Sequence, residues 1–440
     1  MQDQYHHYIP RFLLRNFAVN NYERIFVDNE RLFKQKKHKR NFRNRNNKDA
    51  LLQTYDRNLS QLGFSLIAKT YGYANMYKDI DHEDAMNVEK KLSKLEEQAS
   101  KVIRDIIKTS QVESQIVLLR KDLGNLRKFL FIMNYRNRSR WSQFAENRFD
   151  NLTWSMVENF MQQQKLKIAQ EVWLQNIREI LETPHEDVQN NLQIFSLDRT
   201  DYQLRMVDCF LVIWQAGEND EFIITSNGFG IFEGVNGSVM LSQFQFAYHW
   251  FYVISPKLAL VLCHSSFRKE IGPDLLQKQF GFTRSIFEYV PHPPAIPKYV
   301  ATPKEVPINE YGRSNDTNPF TAFDSHLKSI GLEKRVDDTF TFNFVKVSSA
   351  TVHLVNSFLL NETKEDLVLT FLSHSYLYKT ITKYYKHHKE LGVVDQDFSV
   401  LKRKLFMVLN QTHEENLNLR RNIPAERSCN WNVRVLTSEL

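Results

Sequence analysis

Two apolar stripes in residues 84–138 constrain the fold more than any other feature of the sequence. Apolar side chains recur at alternating spacings of four and three residues, which places them on one face of a helix. The first stripe consists of Val88, Leu92, Leu95, Ala99, Val102 and Ile106, and the second of Ile116, Leu119, Leu123, Leu126, Leu130 and Met133. Because the polar link at 108–115 is short, we predict a long antiparallel αα-hairpin.

Beyond residue 202 the pattern changes to short β-rich runs at 206–216, 221–226, 249–255 and 258–264. These runs favour a small antiparallel β-sheet packed on the hairpin. Six of the twelve prolines lie in "PHPPAIPKYVATPKEVP" (291–307) and indicate an extended connector. Helical periodicity returns from 317 to about 411, including "EDLVLTFLSHSYLYKTITKYY".

The sequence therefore predicts an α+β fold that is predominantly α-helical, with the long antiparallel αα-hairpin and the small antiparallel β-sheet. Additional strands are expected at 23–33 and 50–59, and amphipathic helix through 141–182, ending before Pro184. We divide the chain into an N-terminal motif with strands and a basic loop (1–83), a helical region (84–200), a β-rich region (201–290), a Pro-rich connector (291–316) and a C-terminal helical region (317–440).

Composition excludes several classes of protein. The three cysteines, Cys209, Cys263 and Cys429, lie far apart without CxxC spacing, which argues against a zinc module and a disulfide framework. We therefore assign no metal site, and the sequence identifies no cofactor. No apolar stretch approaches the roughly 20 residues of a membrane span. We expect a soluble intracellular protein, cytoplasmic or nuclear, without a membrane partner.

The net charge of +7 comes entirely from the first fifty residues, which hold 12 Lys and Arg against 5 Asp and Glu. Within them, residues 34–48 carry eight cations and no acid, with Phe42 and several asparagines between them. Such a segment suits phosphate contacts and base stacking, a nuclear-localisation patch, or a merely solvated loop. The candidate nucleic-acid-binding residues are Lys34, Lys36, Lys37, Lys39, Arg40, Arg43, Arg45 and Lys48.

The opening stretch "HHYIPRFLLRNFA" (6–18) has two interpretations. Its apolar residues Ile9, Leu13 and Phe17 lie four apart, and a proline suits the first turn of a helix. One interpretation is a short docking helix, with His7 bonded to a backbone group. In the other, His7 is a general base or ligand beside Arg11 and Arg15, which share a second face and bind an anion together.

Two glutamates, Glu89 and Glu96, flank the first apolar stripe one heptad apart. Carboxylates there usually pair with arginines of a neighbouring helix, with Arg127, Arg136 and Arg138 as candidates; the enzymatic alternative is a pair of acids that binds a divalent metal. We predict that Glu96 and Arg136 lie near His7, and that these three residues are catalytic. The glycines of "TSNGFGIFEG" (225–234) indicate a turn between strands, since no GxxxxGK[ST] occurs.

The order of these motifs resembles a family known only as domain-of-unknown-function family 4238. The matching residues are His7-Tyr8-Ile9-Pro10, the stretch Phe12 to Phe17, Thr54-Tyr55-Asp56, Glu89 with Leu92 and Glu96, the region around Arg136, "FIITSN" (222–227), Ile254-Ser255-Pro256 and Asn356. The resemblance covers roughly residues 5–360. Asn227 stands where the family usually carries aspartate, and residues 34–48 resemble an insertion. Membership implies an α+β fold but no established activity.

We expect a nucleic-acid-associated protein, with nuclease-like or effector chemistry as the more specific form of that function. Ser226 and Asn227 join Arg11 and Arg15 as candidate ligand-binding residues. The alternative is a non-enzymatic interaction scaffold whose polar cluster is structural.

Overall fold

The largest sheet is built on two apolar strands, β6 (Phe210–Gln215) and β10 (Leu258–Cys263). All of β10 and nearly all of β6 is buried, as expected for strands covered on both faces. The two strands pair antiparallel, and β10 continues to β9 (Ser242–Ser255) and then β8 (Phe229–Val239). Strands β6, β9 and β10 confirm three of the predicted strands, whereas the fourth predicted run, 221–226, lies in a different sheet and its place is taken by β8. The computed structural model describes residues 5–19, 50–77, 87–239, 242–268, 284–298, 336–361, 368–391 and 398–421.

Three strands from distant parts of the chain enlarge this sheet. Strand β12 (Thr339–Lys346) pairs parallel with β6, and antiparallel with β5 (Gln115–Leu119) and β11 (Ile296–Lys298). The sheet therefore has seven strands and is mixed, which corrects the prediction of a small, purely antiparallel sheet. The reason is non-local, since residues 339–346 pair with partners more than a hundred residues away.

The prediction of a long αα-hairpin is wrong, because a strand lies between the two helices. Helix α2 (Asn87–Thr109) buries the whole first stripe, as expected. The second stripe is divided, because Ile116 and Leu119 lie in β5 and the remaining members lie on helix α3 (Arg120–Tyr135). A five-residue run with alternating burial is compatible with either strand or helix in isolation. Pairing with β12 decides for the strand, so helix α3 begins only at Arg120.

Short helices follow α3. Asn137 and Asp150 accept hydrogen bonds from backbone N–H groups and cap the first two of them. The third ends at Glu182, two residues before Pro184, which confirms the end predicted for the helical stretch 141–182. The helices are α4 (Arg138–Ala145), α5 (Asn151–Gln164), α6 (Ala169–Glu182) and α7 (Ser196–Tyr202).

A second sheet brings together strands from the N-terminal, central and C-terminal parts of the chain. Its strand order is β3 (Gln61–Leu66), β2 (Leu51–Asp56), β13 (Val368–Phe371) and β7 (Ile224–Thr225). Strand β2 confirms the strand predicted at 50–59, whereas its expected partner 23–33 lies outside the described residues. Residues 339–346 and 368–371 correct a second prediction, because both strands lie in the region 317–411 that was expected to be helical. Antiparallel pairing with β2 and β7 makes residues 368–371 a strand instead.

The remaining elements complete an α+β fold. The C-terminal helices are α8 (Ser349–Asn361), α9 (His374–Leu391) and α10 (Ser399–Arg421). Strand β1 (Tyr5–His7) pairs with β4 (Gly72–Ala74), and the short helix α1 (Arg11–Leu14) follows. About half of the described residues are helical and about a quarter are in strands, so the protein is mixed α and β and not predominantly helical as the sequence predicted. Within the described ranges, no helix is long and apolar enough to cross a membrane.

Candidate functional site

A pocket of about 390 Å³ lies between the opening segment and helix α2. Strand β1 and helix α1 form one wall, α2 forms the opposite wall, and the residue after α3 reaches into it. Its charged and titratable lining residues are His6, His7, Arg11, Arg15, Glu89, Glu96, Glu97 and Arg136. Five of the predicted site residues, His7, Arg11, Arg15, Glu96 and Arg136, therefore line a single pocket.

The opening segment docks through its apolar face. Ile9, Leu13 and Phe17 are all buried in the core, as their spacing predicts. Pro10 precedes α1 with a φ of −59°, a backbone angle that proline favours. Because this face points inward, Arg11 and Arg15 on the other face remain exposed and form the rim of the pocket.

His6 is held at both of its ring nitrogens. Nδ1 accepts a hydrogen bond of 3.1 Å from the backbone N–H of Tyr77, and Nε2 lies 2.9 Å from Oε2 of Glu89. The contact with Glu89 is close but not aligned as a hydrogen bond. The His6 ring also stacks on Tyr77, with centroids 5.4 Å apart. A buried imidazole with both nitrogens engaged holds Glu89 in position and is poorly placed for proton transfer.

Arg136 and Glu96 form an ion pair across the pocket floor, with 2.7 Å between Nη1 and Oε1. Arg136 follows the last residue of α3, and its guanidinium is buried beside Tyr77 and Met133. Burial opposes its charge, but Tyr77 and Glu96 outweigh that effect and raise the pKa of Arg136. Of the alternatives for the heptad-spaced glutamates, pairing with arginine is therefore the arrangement found for Glu96.

His7 has the orientation of a general base. Its Nδ1 lies 3.0 Å from the carbonyl oxygen of Thr70. A carbonyl only accepts hydrogen bonds, so Nδ1 carries the hydrogen and Nε2 carries the lone pair of the neutral ring. The ring is half-buried and meets Tyr5 edge-on, with centroids 5.1 Å apart. His7 also satisfies the other interpretation of the opening stretch, since it is bonded to a backbone group.

Sequence reasoning missed the role of His6. Adjacent residues of a strand point to opposite sides, so β1 must send His6 and His7 into different surroundings. Strand β1 was not predicted, because the opening stretch was interpreted as a helix, and which histidine faces Glu89 depends on pairing with β4. Tyr77 was missed as well, because no pattern marks a residue outside regular secondary structure.

Ser226 and Asn227 do not line the pocket. The Ser226 hydroxyl contacts the backbone N–H and carbonyl of Val368, at 2.9 and 3.3 Å. Asn227 accepts a 3.3 Å hydrogen bond from the N–H of Ser139. Both residues fix the turn between β7 and β8, which the glycines predicted, so their surroundings are structural and their ligand-binding role gains no support. The eight cations of residues 34–48 lie outside the described residues.

The fold and the pocket define a mixed α and β protein whose opening segment closes over a site of histidines, arginines and glutamates. The chain belongs to the family described as protein of unknown function (DUF4238), whose model matches residues 5–369. This confirms the resemblance drawn from the opening motif. No curated protein and no solved structure matches the chain.

Proposed function

We propose that the pocket binds a phosphate group of a nucleic acid, and that His7 acts there as the general base of a nuclease-like reaction. One observation carries the proposal: His7, oriented by the Thr70 carbonyl, shares an open pocket with Arg11 and Arg15. Paired arginines provide several N–H donors for phosphate oxygens. An imidazole whose Nε2 bears the lone pair is suited to accept a proton.

In the proposed reaction a water molecule attacks the phosphorus of a phosphodiester. His7 Nε2 takes the proton of that water, the bond from phosphorus to one ester oxygen breaks, and the leaving oxygen is protonated by solvent. Arg11 and Arg15 stabilise the negative charge that develops on the phosphate. Glu96 acts as a positioning residue here, because it pairs with Arg136 at 2.7 Å. The catalytic roles expected for Glu96 and Arg136 remain predictions.

The pocket also offers stacking surface for a base. Tyr5 and Phe12 line it, and the Tyr5 side chain is exposed. Aromatic rings stack on any base and therefore bind single strands without sequence preference. A volume of about 390 Å³ is of the size that accommodates a small organic ligand. Single-stranded RNA or DNA is the substrate class that this combination favours.

The basic segment 34–48 supports the same proposal from the sequence. The described chain stops at Val19, four residues beyond Arg15 on the pocket rim, and resumes at Ala50. The two ends lie together, since the N–H of Val19 donates a 3.0 Å hydrogen bond to the carbonyl of Leu51. Residues 34–48 belong to the segment between these two ends and lie outside the described residues; the proposal draws only on their eight cations, which are of the type that binds phosphates. Cytoplasmic or nuclear location remains part of this proposal.

A second candidate is a non-enzymatic interaction scaffold, which another observation favours. His6 and Arg136 are buried and bonded within the chain. Clusters of this kind often stabilise one conformation without performing chemistry. In this case the pocket is a rigid surface for a protein partner, and the exposed arginines contribute to recognition.

Binding and cleavage of labelled single-stranded RNA and DNA separate the two candidates. We expect the full chain to bind with a salt-dependent affinity. The double variant Arg11→Met and Arg15→Met should weaken binding about tenfold. It should also reduce the slope of log affinity against log salt concentration by about two. His7→Gln should bind normally and lose cleavage. Arg148→Met is the matched control, since this exposed arginine lies outside the pocket.

Replacing the eight cations of 34–48 with glutamine tests the segment separately. Lower affinity with retained cleavage at saturating substrate supports a binding role. Loss of nuclear accumulation with unaltered binding favours the localisation signal instead. Binding that is absent, or equal in all variants, overturns the nucleic-acid proposal and leaves the scaffold.

A further inference from the structure

Two histidines and a cysteine converge on one face of the large sheet, away from the pocket. His249 on β9 lies directly opposite Cys263 on β10, and both are fully buried. Paired positions of antiparallel strands place their side chains on the same face. His292 approaches from the proline-rich segment, with 2.8 Å between its Nε2 and that of His249. One ring nitrogen of each histidine and the Cys263 sulfur all lie within 4.8 Å of one another.

A carboxylate behind the cluster fixes the orientation of His249. Oε2 of Glu233 lies 2.9 Å from His249 Nδ1. The same carboxylate accepts hydrogen bonds from the Ser285 hydroxyl and the Ile286 N–H, at 3.0 and 3.1 Å. Glu233 is thus an acceptor on both oxygens, so Nδ1 of His249 carries the hydrogen and the lone pair of Nε2 points into the cluster. Histidine ligands of metals are oriented by carboxylates in this way.

We propose that His249, Cys263 and His292 bind one zinc(II) ion, with Glu233 orienting the first of these ligands. Two imidazole nitrogens and a thiolate are ligands that zinc prefers, and three protein ligands leave a fourth position for water. Tetrahedral geometry sets the two nitrogens about 3.3 Å apart. The two histidines must therefore separate by about half an ångström, while Cys263 moves inward.

Zinc binding changes the protonation of the cluster. Neutral imidazole and thiolate are the forms that ligate zinc, so the ion must displace the proton of the Cys263 thiol, which passes to solvent as the bond from sulfur to zinc forms. One proton is released for each ion bound.

The proline-rich connector gains a role in this proposal. Pro291, Pro293 and Pro294 surround His292 and restrict the backbone that carries it. The ring of His292 stacks on Phe267, with centroids 4.5 Å apart, and is only half-buried. A rigid segment thus holds the most accessible ligand over two buried ones, which provides a route of entry. The proposed site departs from our expectation of no metal site, which rested on cysteine spacing alone; its ligands come from three separate segments of the chain.

Zinc titration of the full chain after treatment with chelator tests the proposal. We expect one zinc per chain by calorimetry, and one proton released when buffers of different ionisation enthalpy are compared. Cobalt(II), as a spectroscopic substitute, should give a thiolate charge-transfer band in the near ultraviolet. Cys263→Ser and His292→Gln should each weaken zinc binding at least about 100-fold, and Glu233→Gln about 10-fold or more.

Two variants serve as matched controls. Cys209→Ser removes another buried free thiol, and His264→Gln removes the histidine adjacent to Cys263. Both should bind zinc within about twofold of the wild type, since neither belongs to the cluster. If Cys263→Ser does not fold, the half-buried His292→Gln decides the question. Failure of the wild type to bind stoichiometric zinc, unchanged affinity in His292→Gln, or a cobalt complex without the thiolate band overturns the proposal.

Discussion

Arg136 and Arg140 each form an ion pair, and the two pairs differ in which partner is buried. In the pocket, the side chain of Arg136 is 1% exposed and that of Glu96 is 28% exposed. On helix α4, the side chain of Arg140 is 29% exposed, and its partner Asp198 is 1% exposed. The first pair therefore buries the cation and leaves the anion facing solvent, whereas the second does the reverse.

The difference matters because the two buried groups respond differently when a partner is lost. A guanidinium cannot lose its proton in a protein, so a stranded arginine remains charged. A stranded carboxylate can take up a proton and become neutral. The Arg136 pair consequently depends on Glu96 at every accessible pH, while the Arg140 pair depends on its cation only where Asp198 is ionised.

The surroundings reinforce this contrast. Asp198 also accepts hydrogen bonds from the Tyr135 hydroxyl at 2.9 Å and the Asn176 amide at 2.7 Å, so its network is closed. Arg136 is held by Glu96, Tyr77 and the Met133 sulfur, and among the described residues its Nε donates to none. Its guanidinium also lines an open pocket, so an anionic ligand can approach it, whereas Asp198 is enclosed by its partners.

The largest expected effect is that of Glu96→Ala. Removing this carboxylate strands the buried charge of Arg136, which should lower the free energy of unfolding by about 3 kcal/mol at every pH between 5 and 8. Denaturant unfolding measured across this range checks the prediction. Glu97→Ala, one residue along the same helix and exposed, is the control that should leave stability unchanged. Equal stability of the two variants would contradict the ion pair.

Arg140→Met should lower the free energy of unfolding by about 3 kcal/mol at pH 8, but by much less under acidic conditions. Burial already raises the pKa of Asp198 above its ordinary value against the opposing effect of Arg140, and loss of the cation should raise it further. A carboxylate with a raised pKa in the folded state costs stability above that pKa, and the cost disappears as pH falls below the unfolded value. Unfolding at pH 8 and pH 4, with Arg148→Met as an exposed control, measures the difference; a cost independent of pH would refute it.

A second buried acid extends the comparison to a carboxylate held by backbone groups. Oε1 of Glu221 accepts hydrogen bonds from the N–H groups of Leu372 and Ser373, at 3.1 and 2.9 Å. Burial raises the pKa of Glu221 from 4.5 to about 7, so wild-type stability should fall as pH rises between these values. Glu221→Gln keeps a hydrogen-bond acceptor without the charge. Its free energy of unfolding, relative to that of the wild type, should increase by about 2 kcal/mol as the pH rises from 5 to 8. Parallel pH profiles for the two proteins would show that Glu221 does not titrate there.

The smallest effect on stability is expected for His7→Gln, at less than about 1 kcal/mol, because the glutamine amide can still donate to the Thr70 carbonyl. His6→Gln is the matched comparison on the same strand. His6 is buried between Tyr77 and Glu89, so its replacement should cost about 2 kcal/mol. Thermal unfolding of both variants tests the assignment of His6 to structure and His7 to the site, and the reverse order of effects would exchange these roles.

Local pattern was sufficient where burial follows a single periodicity. The apolar stripe of α2, the docking face of Ile9, Leu13 and Phe17, and the end of α6 before Pro184 were all predicted, because each depends on neighbours within a few turns of helix. The opening motif also identified the family. His7, Glu96 and Arg136 were predicted to lie together, and all three line the pocket.

Tertiary structure decided the choices that distant pairing controls. Residues 115–119 and 368–371 are short apolar runs that fit helix or strand equally well, and both became strands because partner strands lay beside them. The same holds for function. The sequence by itself determined that histidines, arginines and glutamates are available, but the pairing of β1 with β4 decided which histidine meets Glu89. The register between β9 and β10 likewise places His249 opposite Cys263. No local pattern in the sequence shows this contact, because it depends on how the two strands pair.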